Sequence, residues 1–232
     1  MPELIRVGHK GADHVAPGNT VESFEAALGH GVDMIEFDVL RIPDGRLVLA
    51  HDYEDAKRTG VLTLEQGLDH FAGEAYSDVE LDVDLKLPGY EREVVEGLRA
   101  RGLAERALVS SMYVESLERL GQLAPGLRRG WSVPRVRRDY TRSPIAVLAY
   151  GVARVMRARL PRQAAARIRT GGCEAVMAHH LLASPGLVRA VHAAGGQVYI
   201  WTVDDIRTIR RLEAMGVDAV ITNDPRLFGP RA

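Results

Sequence analysis

Two stretches, Met34-Ile35-Glu36-Phe37-Asp38-Val39 and Leu81-Asp82-Val83-Asp84-Leu85-Lys86-Leu87, decide the fold. Side chains two apart on a strand share a face. The first stretch therefore sets Glu36 and Asp38 on one face, with Ile35, Phe37 and Val39 opposite. The second gathers Asp82, Asp84 and Lys86 against Val83, Leu85 and Leu87. Strands that are apolar on one face and acidic on the other, with helices packed outside, turn their acids inward, into the mouth of a barrel.

The rest of the chain repeats the same alternation of short β-branched runs with helical stretches, the pattern of a parallel α/β protein. Strand candidates fall at 4–9, 34–40, 46–51, 79–86, 106–111, 128–133, 175–179, 197–203 and 218–222. Helical pattern runs over 20–30, 91–101, 114–122, 185–194 and 204–215. Asn19-Thr20 followed by Glu22 marks a helix start. Gly-Val-Asp at 31–33 and again at 216–218 reads as a helix stop leading into a strand. Nine strands are one too many for a (β/α)8 TIM barrel. The surplus follows from Pro43-Asp44-Gly45, a turn between 34–40 and 46–51. A parallel crossover needs about a dozen residues, so these two strands should pair as an antiparallel hairpin spanning 34–51. At 232 residues, with no internal repeat or low-complexity linker, the chain has the length of one such barrel domain, residues 1–232.

The net charge of −1 carries no general bias toward nucleic acid. The single cysteine, Cys173, forms no internal disulfide, and no Cys and His set has zinc spacing. The first residues lack a signal-peptide core and no run of about 18 apolar residues exists, so a cytoplasmic enzyme is expected. Nothing in the sequence assigns an oligomeric state.

Several carboxylates in a low-dielectric barrel mouth are costly unless paired or coordinated. Oxygen ligands favour a hard divalent cation, Mg²⁺ or Ca²⁺, over zinc. A bland alternative is that Asp82 or Asp84 pairs with Lys86. His9 ends the first strand and His51 ends another, and strand C-termini carry the chemistry of such barrels. If 46–51 folds back on 34–40, His51 should land near Glu36. Two imidazoles flanking a cation suit acid–base work near neutral pH.

At this point the sequence resembles the glycerophosphodiester phosphodiesterase family. The segments His9-Lys10-Gly11-Ala12, Pro17-Gly18-Asn19-Thr20, Glu36-Phe37-Asp38-Val39, Asp44-Gly45 and His51-Asp52 are similar, in order and spacing, to its N-terminal signature. Asp84-Leu85-Lys86 looks like its acid-x-Lys strand, and Ser110-Ser111-Met112 like its Ser-Ser-Phe strand. Trp201-Thr202-Val203-Asp204 and Ile221-Thr222-Asn223-Asp224-Pro225 are similar to its Trp-Thr-Val-Asn and Ile-Thr-Asp-x-Pro segments. The resemblance implies metal-dependent hydrolysis of glycerophosphodiesters, small-molecule substrates, to an alcohol and glycerol 3-phosphate. It implies His9 and His51 as the acid–base pair and Glu36, Asp38 and Asp84 as metal ligands. Lys10 and Lys86 are then phosphate-side cations, and Trp201 lines the alcohol side. Four departures bear on substrate choice and metal affinity: Lys10 for Arg, Gly18 for Glu, Asp84 for Glu, and a much reduced inserted cap between His51 and Asp84.

Residues 135–170 have no counterpart in that pattern. From Arg135 to Arg169 the chain holds ten arginines, no lysine and one acid, Asp139. Such a basic, partly amphipathic insert fits peripheral contact with an anionic membrane, as in a lysophospholipase D or sphingomyelinase D-like enzyme. An ordinary helix with a solvated arginine face fits it equally. A third reading is a non-catalytic barrel that binds phosphate esters.

Overall fold

The structure, a computed structural model, describes residues 3–135 and 146–229. Eight parallel strands close into a barrel: β1 (Ile5–Gly8), β2 (Met34–Arg41), β4 (Glu80–Leu85), β5 (Ala107–Ser111), β6 (Arg128–Val133), β7 (Ala175–His179), β8 (Gln197–Trp201) and β9 (Ala219–Thr222). Closure is made by β1, which pairs with both β9 and β2. The ninth strand, β3 (Leu47–Val48), runs antiparallel to the end of β2 through Leu40↔Val48 and Arg41↔Leu47. The hairpin expected from Pro43-Asp44-Gly45 is thus present, with a shorter second arm.

Around the barrel lie α1 (Val21–Gly29), α2 (Leu64–Phe71), α3 (Glu91–Ala100), α4 (Val114–Leu123), α5 (Ala146–Arg169), α6 (Pro185–His192) and α7 (Ile206–Met215). The Thr20 hydroxyl caps α1 by accepting from Ser23 N. Both Gly-Val-Asp segments stop a helix: Gly31 and Gly216 take φ of 68° and 83°. The aspartate that follows ties down a neighbouring strand, Asp33 accepting from Arg6 N and Asp218 from Val198 N.

The alternation along β2 and β4 holds. Ile35, Phe37, Val39, Val83 and Leu85 are buried in the layer between barrel and helices. There Phe37 stacks on Phe71 at 5.0 Å, and Phe24 meets Phe71 at 4.7 Å. Truncating one such phenylalanine to alanine costs about 3–5 kcal/mol. Inside the barrel, Val7, Met34, Leu108, Ala175, Met177, Tyr199, Ala219 and Ile221 form an apolar plug. Arg128 and Glu80, 3.0 Å apart, close the end of the barrel away from the chemistry. The inward acids of β2 and β4 therefore stand on a filled core and not over a channel.

The expected insert at 135–170 falls partly outside the described residues, at 136–145. From Ala146 the chain forms one continuous helix that ends at Arg169 and contains Pro161. At 1.5 Å per residue its length is about 36 Å. Its second half packs through Leu160, Ala164 and Ala165, while Arg154, Val155 and Arg157 are exposed. In the described part of α5, Met156, Leu160, Ala164 and Ile168 recur every four residues and pack on the core, while Arg154, Arg157, Arg159, Arg162 and Arg169 are exposed, so the partly amphipathic pattern expected of the insert is present there.

Candidate active site

The inward positions nearest the C-terminal ends of β2 and β4 bring the acids together. Register sets Glu36 beside Asp82 and Asp38 beside Asp84. Glu36, Asp38 and Asp84 each offer an oxygen within 4.8 Å of the other two. Calcium–oxygen bonds of about 2.4 Å allow two ligands of one cation to lie up to about 4.8 Å apart, and magnesium–oxygen bonds of about 2.1 Å up to about 4.2 Å, so the cluster has a hard donor set, a span open to Ca²⁺, and needs only a slight contraction for Mg²⁺. Asp38 Oδ1 is buried. It lies against the Lys86 ammonium, which also contacts Asp84 Oδ2. The pairing of Asp84 with Lys86 that the sequence left open is therefore present, and it coexists with the three-carboxylate cluster.

One lysine does not neutralise this set. Burial and the adjacent Asp38 carboxylate push Glu36 well above the usual carboxylate range. Burial alone would raise Asp38 too, but Lys86 and His51 outweigh it and hold Asp38 well below that range. Burial works against the charge on Lys86, yet Asp38, Asp84 and Glu36 together hold it well above the usual ammonium range. A cation bound here would relieve the repulsion that otherwise favours a proton on Glu36.

The loop after β1 is folded tightly around these acids. Gly8 lets it turn back, since a Cβ there would lie 2.2 Å from Gly11 O. Lys10 and Asn19 both take left-handed backbone conformations, with φ of 50° and 61°. Such a conformation costs a non-glycine residue roughly 1–2 kcal/mol. Each one serves the site. The Lys10 backbone N–H donates to Glu36 Oε2 at 2.8 Å. Asn19 donates through Nδ2 to Asp38 Oδ2 at 2.8 Å and accepts from Asp38 N at 3.0 Å.

His9 and His51 approach from two sides. His9 Nε2 lies 3.8 Å from Glu36 Oε2. Its Nδ1 meets Asn223 Oδ1 at 2.6 Å. Burial lowers the proton affinity of His9, opposed by Asp38 and assisted by Lys10. His51 Nδ1 lies 3.5 Å from Asp38 Oδ2, with its side chain half exposed. The contact is to Asp38 and not to Glu36, because only two residues of β3 pair with β2 and the chain leaves the strand before His51.

A cleft of about 160 Å³ lies over the cluster, lined by His9, Glu36, His51, Asp84 and Lys86 on one side. Met112, Met177, Trp201 and Ile221 line the other. Trp201 is pinned by its Nε1–H, which donates to Met177 O at 2.8 Å, and by the edge of the His179 ring. Lys10 is the one expected phosphate-side group outside this lining. Its ammonium is bonded to Asp13 Oδ2 at 3.0 Å, and Asp13 Oδ1 accepts from Gly18 N. A Cβ at position 18 would lie 2.5 Å from that carboxylate, so the glycine is required by the Asp13 contact. The sequence reading left out Asn19, Asp204 and Asn223 as site residues, along with the apolar wall residues Met112, Met177 and Ile221. Asn19 appeared there as a helix start and within the Pro17-Gly18-Asn19-Thr20 segment, without a role in the site.

A family model described as the glycerophosphoryl diester phosphodiesterase family matches residues 9–85 and 58–227. The chain is 26% identical to a glycerophosphodiester phosphodiesterase of Caldanaerobacter subterraneus subsp. tengcongensis, over 97% of this chain and 96% of that protein. Its fold is similar to that of a glycerophosphodiester phosphodiesterase from Agrobacterium tumefaciens, with a TM-score of 0.71, 20% identity and coverage of 97% and 99% of the two chains. It is similar also to an Oleispira antarctica phosphodiesterase solved in complex with the product sn-glycerol-3-phosphate, with a TM-score of 0.70, 22% identity and coverage of 95% and 93%.

Proposed function

The chain belongs to the glycerophosphoryl diester phosphodiesterase family, and from that premise we propose that it hydrolyses glycerophosphodiesters to an alcohol and glycerol 3-phosphate, with His9 and His51 as its acid–base pair. The observation that carries this reading is the approach of both imidazoles to one carboxylate cluster, at 3.8 Å from Glu36 and 3.5 Å from Asp38.

Glu36, Asp38 and Asp84 would hold a divalent cation, Mg²⁺ or Ca²⁺, which when bound draws charge from the non-bridging phosphoryl oxygens. Lys86 adds fixed positive charge beside the same oxygens, contacts Asp84 and keeps Asp38 ionised. Lys10 supports the Glu36 carboxylate through its backbone N–H, and its ammonium contributes charge at the rim. One histidine takes a proton from the attacking water or substrate hydroxyl, and the other returns one to the leaving alkoxide. Trp201, Met112 and Met177 wall the side where the alcohol group sits and limit water there. Turnover of glycerophosphocholine, followed as glycerol 3-phosphate with and without chelator, tests the scheme. His9→Ala and His51→Ala should each lower kcat by about 10²–10⁴. Near-full turnover in both variants with metal present would overturn it.

A second reading, action on membrane-held lysophospholipid, is favoured by one observation. Among the described residues the large apolar side chains that stand exposed are Val15, Tyr53 and Val155. The first two lie on loops leaving the catalytic ends of β1 and of the β2–β3 hairpin. Val155 lies on α5 among the exposed Arg154, Arg157 and Arg159. Choline release from lysophosphatidylcholine, together with sedimentation on anionic vesicles that is lost when the three arginines become alanine, would support it. Sedimentation unchanged by those substitutions would remove it.

A further inference from the structure

The described residues contain a hydrogen-bonded chain that reaches His9 from the far end of the sequence. Asp204, just after β8, accepts from three donors of the segment around the end of β9. Its Oδ1 takes Thr222 Oγ1–H at 3.0 Å and Asn223 N–H at 2.8 Å, and its Oδ2 takes Asn223 Nδ2–H at 2.7 Å. The other end of the Asn223 amide, Oδ1, meets His9 Nδ1 at 2.6 Å.

Donor and acceptor chemistry leaves one arrangement. An ionised carboxylate only accepts, so the Asn223 atom facing Asp204 must be the NH₂. The atom facing His9 is then the carbonyl oxygen, which also only accepts. The 2.6 Å contact therefore requires the proton of neutral His9 to reside on Nδ1. Its Nε2 is left as a lone pair, and that nitrogen faces the cleft 3.8 Å from Glu36 Oε2.

We propose that Asp204 and Asn223 are positioning residues that lock His9 in the Nδ1–H tautomer, so that Nε2 is the nitrogen that accepts the proton of the attacking hydroxyl. As the new oxygen–phosphorus bond forms, the O–H bond breaks and its proton passes to Nε2, while the bond from phosphorus to the departing alkoxide breaks and that oxygen takes a proton from the other histidine, His51. The resulting imidazolium keeps its Nδ1–H on Asn223, whose amide is itself polarised by the Asp204 carboxylate. Neither residue touches substrate; both act through His9. The proposal rests on His9 being an acid–base residue of the phosphodiesterase reaction, and it adds which nitrogen works and what holds it.

The network makes Asp204→Asn informative. The carbonyl oxygen of the new amide can still accept from Thr222 and the Asn223 backbone, which turns its NH₂ toward that of Asn223. Two donors then face each other, and relief comes from flipping Asn223, which presents its NH₂ to His9 Nδ1 and drives the proton to Nε2. In the double variant Asp204→Asn/Asn223→Asp the pattern is complementary again. The carboxylate introduced at position 223 accepts from the amide at position 204 on one side and from His9 Nδ1–H on the other.

The test is the histidine ¹³Cδ2 and ¹⁵N NMR signature of His9 in the full chain with Mg²⁺ or Ca²⁺ present, read beside steady-state kinetics. Wild-type protein should show the Nδ1–H tautomer. Asp204→Asn should shift His9 toward Nε2–H and lower kcat by about 10–100-fold with KM within about twofold. The double variant should restore Nδ1–H and recover most of the lost turnover. An Nε2–H tautomer in the wild type overturns the proposal directly, and that measurement needs no variant to fold. So does Asp204→Asn protein with unchanged tautomer, whether turnover is kept or lost, since loss alone marks a merely structural aspartate. Absence of any phosphodiester turnover would remove the proposed function instead, and leaves the tautomer result to be judged on its own signal.

Discussion

The two walls of the catalytic cleft are built from the same inward register of the same barrel, yet they solve opposite problems. On β2 and β4 the inward positions are the buried acids Glu36, Asp38, Asp82 and Asp84, of which Asp38 and Asp84 contact one lysine, Glu36 accepts a backbone N–H and Asp38 an amide. On β7, β8 and β9 the equivalent positions are Met177, Tyr199, Trp201 and Ile221, which need no partner beyond one indole hydrogen bond at the cleft. The acidic wall holds repulsion that a cation relieves. The apolar wall holds shape and excludes water. Under the proposed function, charge for the phosphate and fit for the alcohol fall on separate strands, and each can be altered without redesigning the other.

The largest effect should come from breaking the acidic wall. Asp38→Asn replaces one carboxylate oxygen by an NH₂ donor and removes the charge, so either the Lys86 contact or the acceptor of Asn19 is lost. A fall in kcat of about 10³ or more is expected, with exhaustive chelation of the unaltered protein doing the same. Because Glu36 is pushed above its ordinary range, a proton competes with the cation there, and metal affinity measured by titration calorimetry should strengthen as pH rises. Full turnover after chelation, or affinity independent of pH, would mean that the cluster is an ion-pair network and nothing more.

The apolar wall should respond more mildly and in a different parameter. Trp201→Ala removes the indole between Met177 and His179 without touching the acids. An increase in KM of about tenfold is expected, roughly 1.4 kcal/mol, with kcat changed much less. If kcat fell as far as in Asp38→Asn while KM stayed constant, the two walls would not be separable. Comparing glycerophosphocholine with lysophosphatidylcholine in this variant sharpens the contrast, since a longer alcohol group leans harder on the wall.

What could be read from the sequence follows the range of the interactions. Period-two alternation placed Glu36, Asp38, Asp82, Asp84 and Lys86 inward, because that property belongs to each strand alone. Pro43-Asp44-Gly45 foretold the hairpin for the same local reason. The helix α2 and the continuity of α5 escaped, the latter because Pro161 reads as a helix boundary until Leu160, Ala164 and Ile168 are seen packing on one face. The clasp of Asn19 on Asp38 escaped because Asn19 also fits a local helix start and its partner lies 19 residues away. The support of His9 by Asn223 spans 214 residues, and nothing in either neighbourhood signals it until the barrel closes β9 onto β1.

The smallest expected effect on turnover concerns Asp82, which sharpens the account of the acidic wall by asking how much charge it carries. Asp82 is buried, its Oδ1 has no hydrogen bond among the described residues, and it lies deeper along β4 than Asp84. Burial, reinforced by Asp84, pushes its carboxyl up to about 8. At pH 7 the folded protein therefore keeps a proton on Asp82 that the unfolded chain releases, and stability declines as pH climbs from about 4 toward 8. Asp82→Asn mimics the protonated acid without that penalty. In chelated protein the substitution should be neutral near pH 4 and increasingly stabilising toward pH 8, by at most roughly 5 kcal/mol. Thermal melts of both forms across that range decide the matter. A variant no more stable than the wild type at pH 8 would mean that Asp82 is ionised in the fold, and the acidic wall would then need its cation for one more negative charge than Glu36, Asp38 and Asp84 supply.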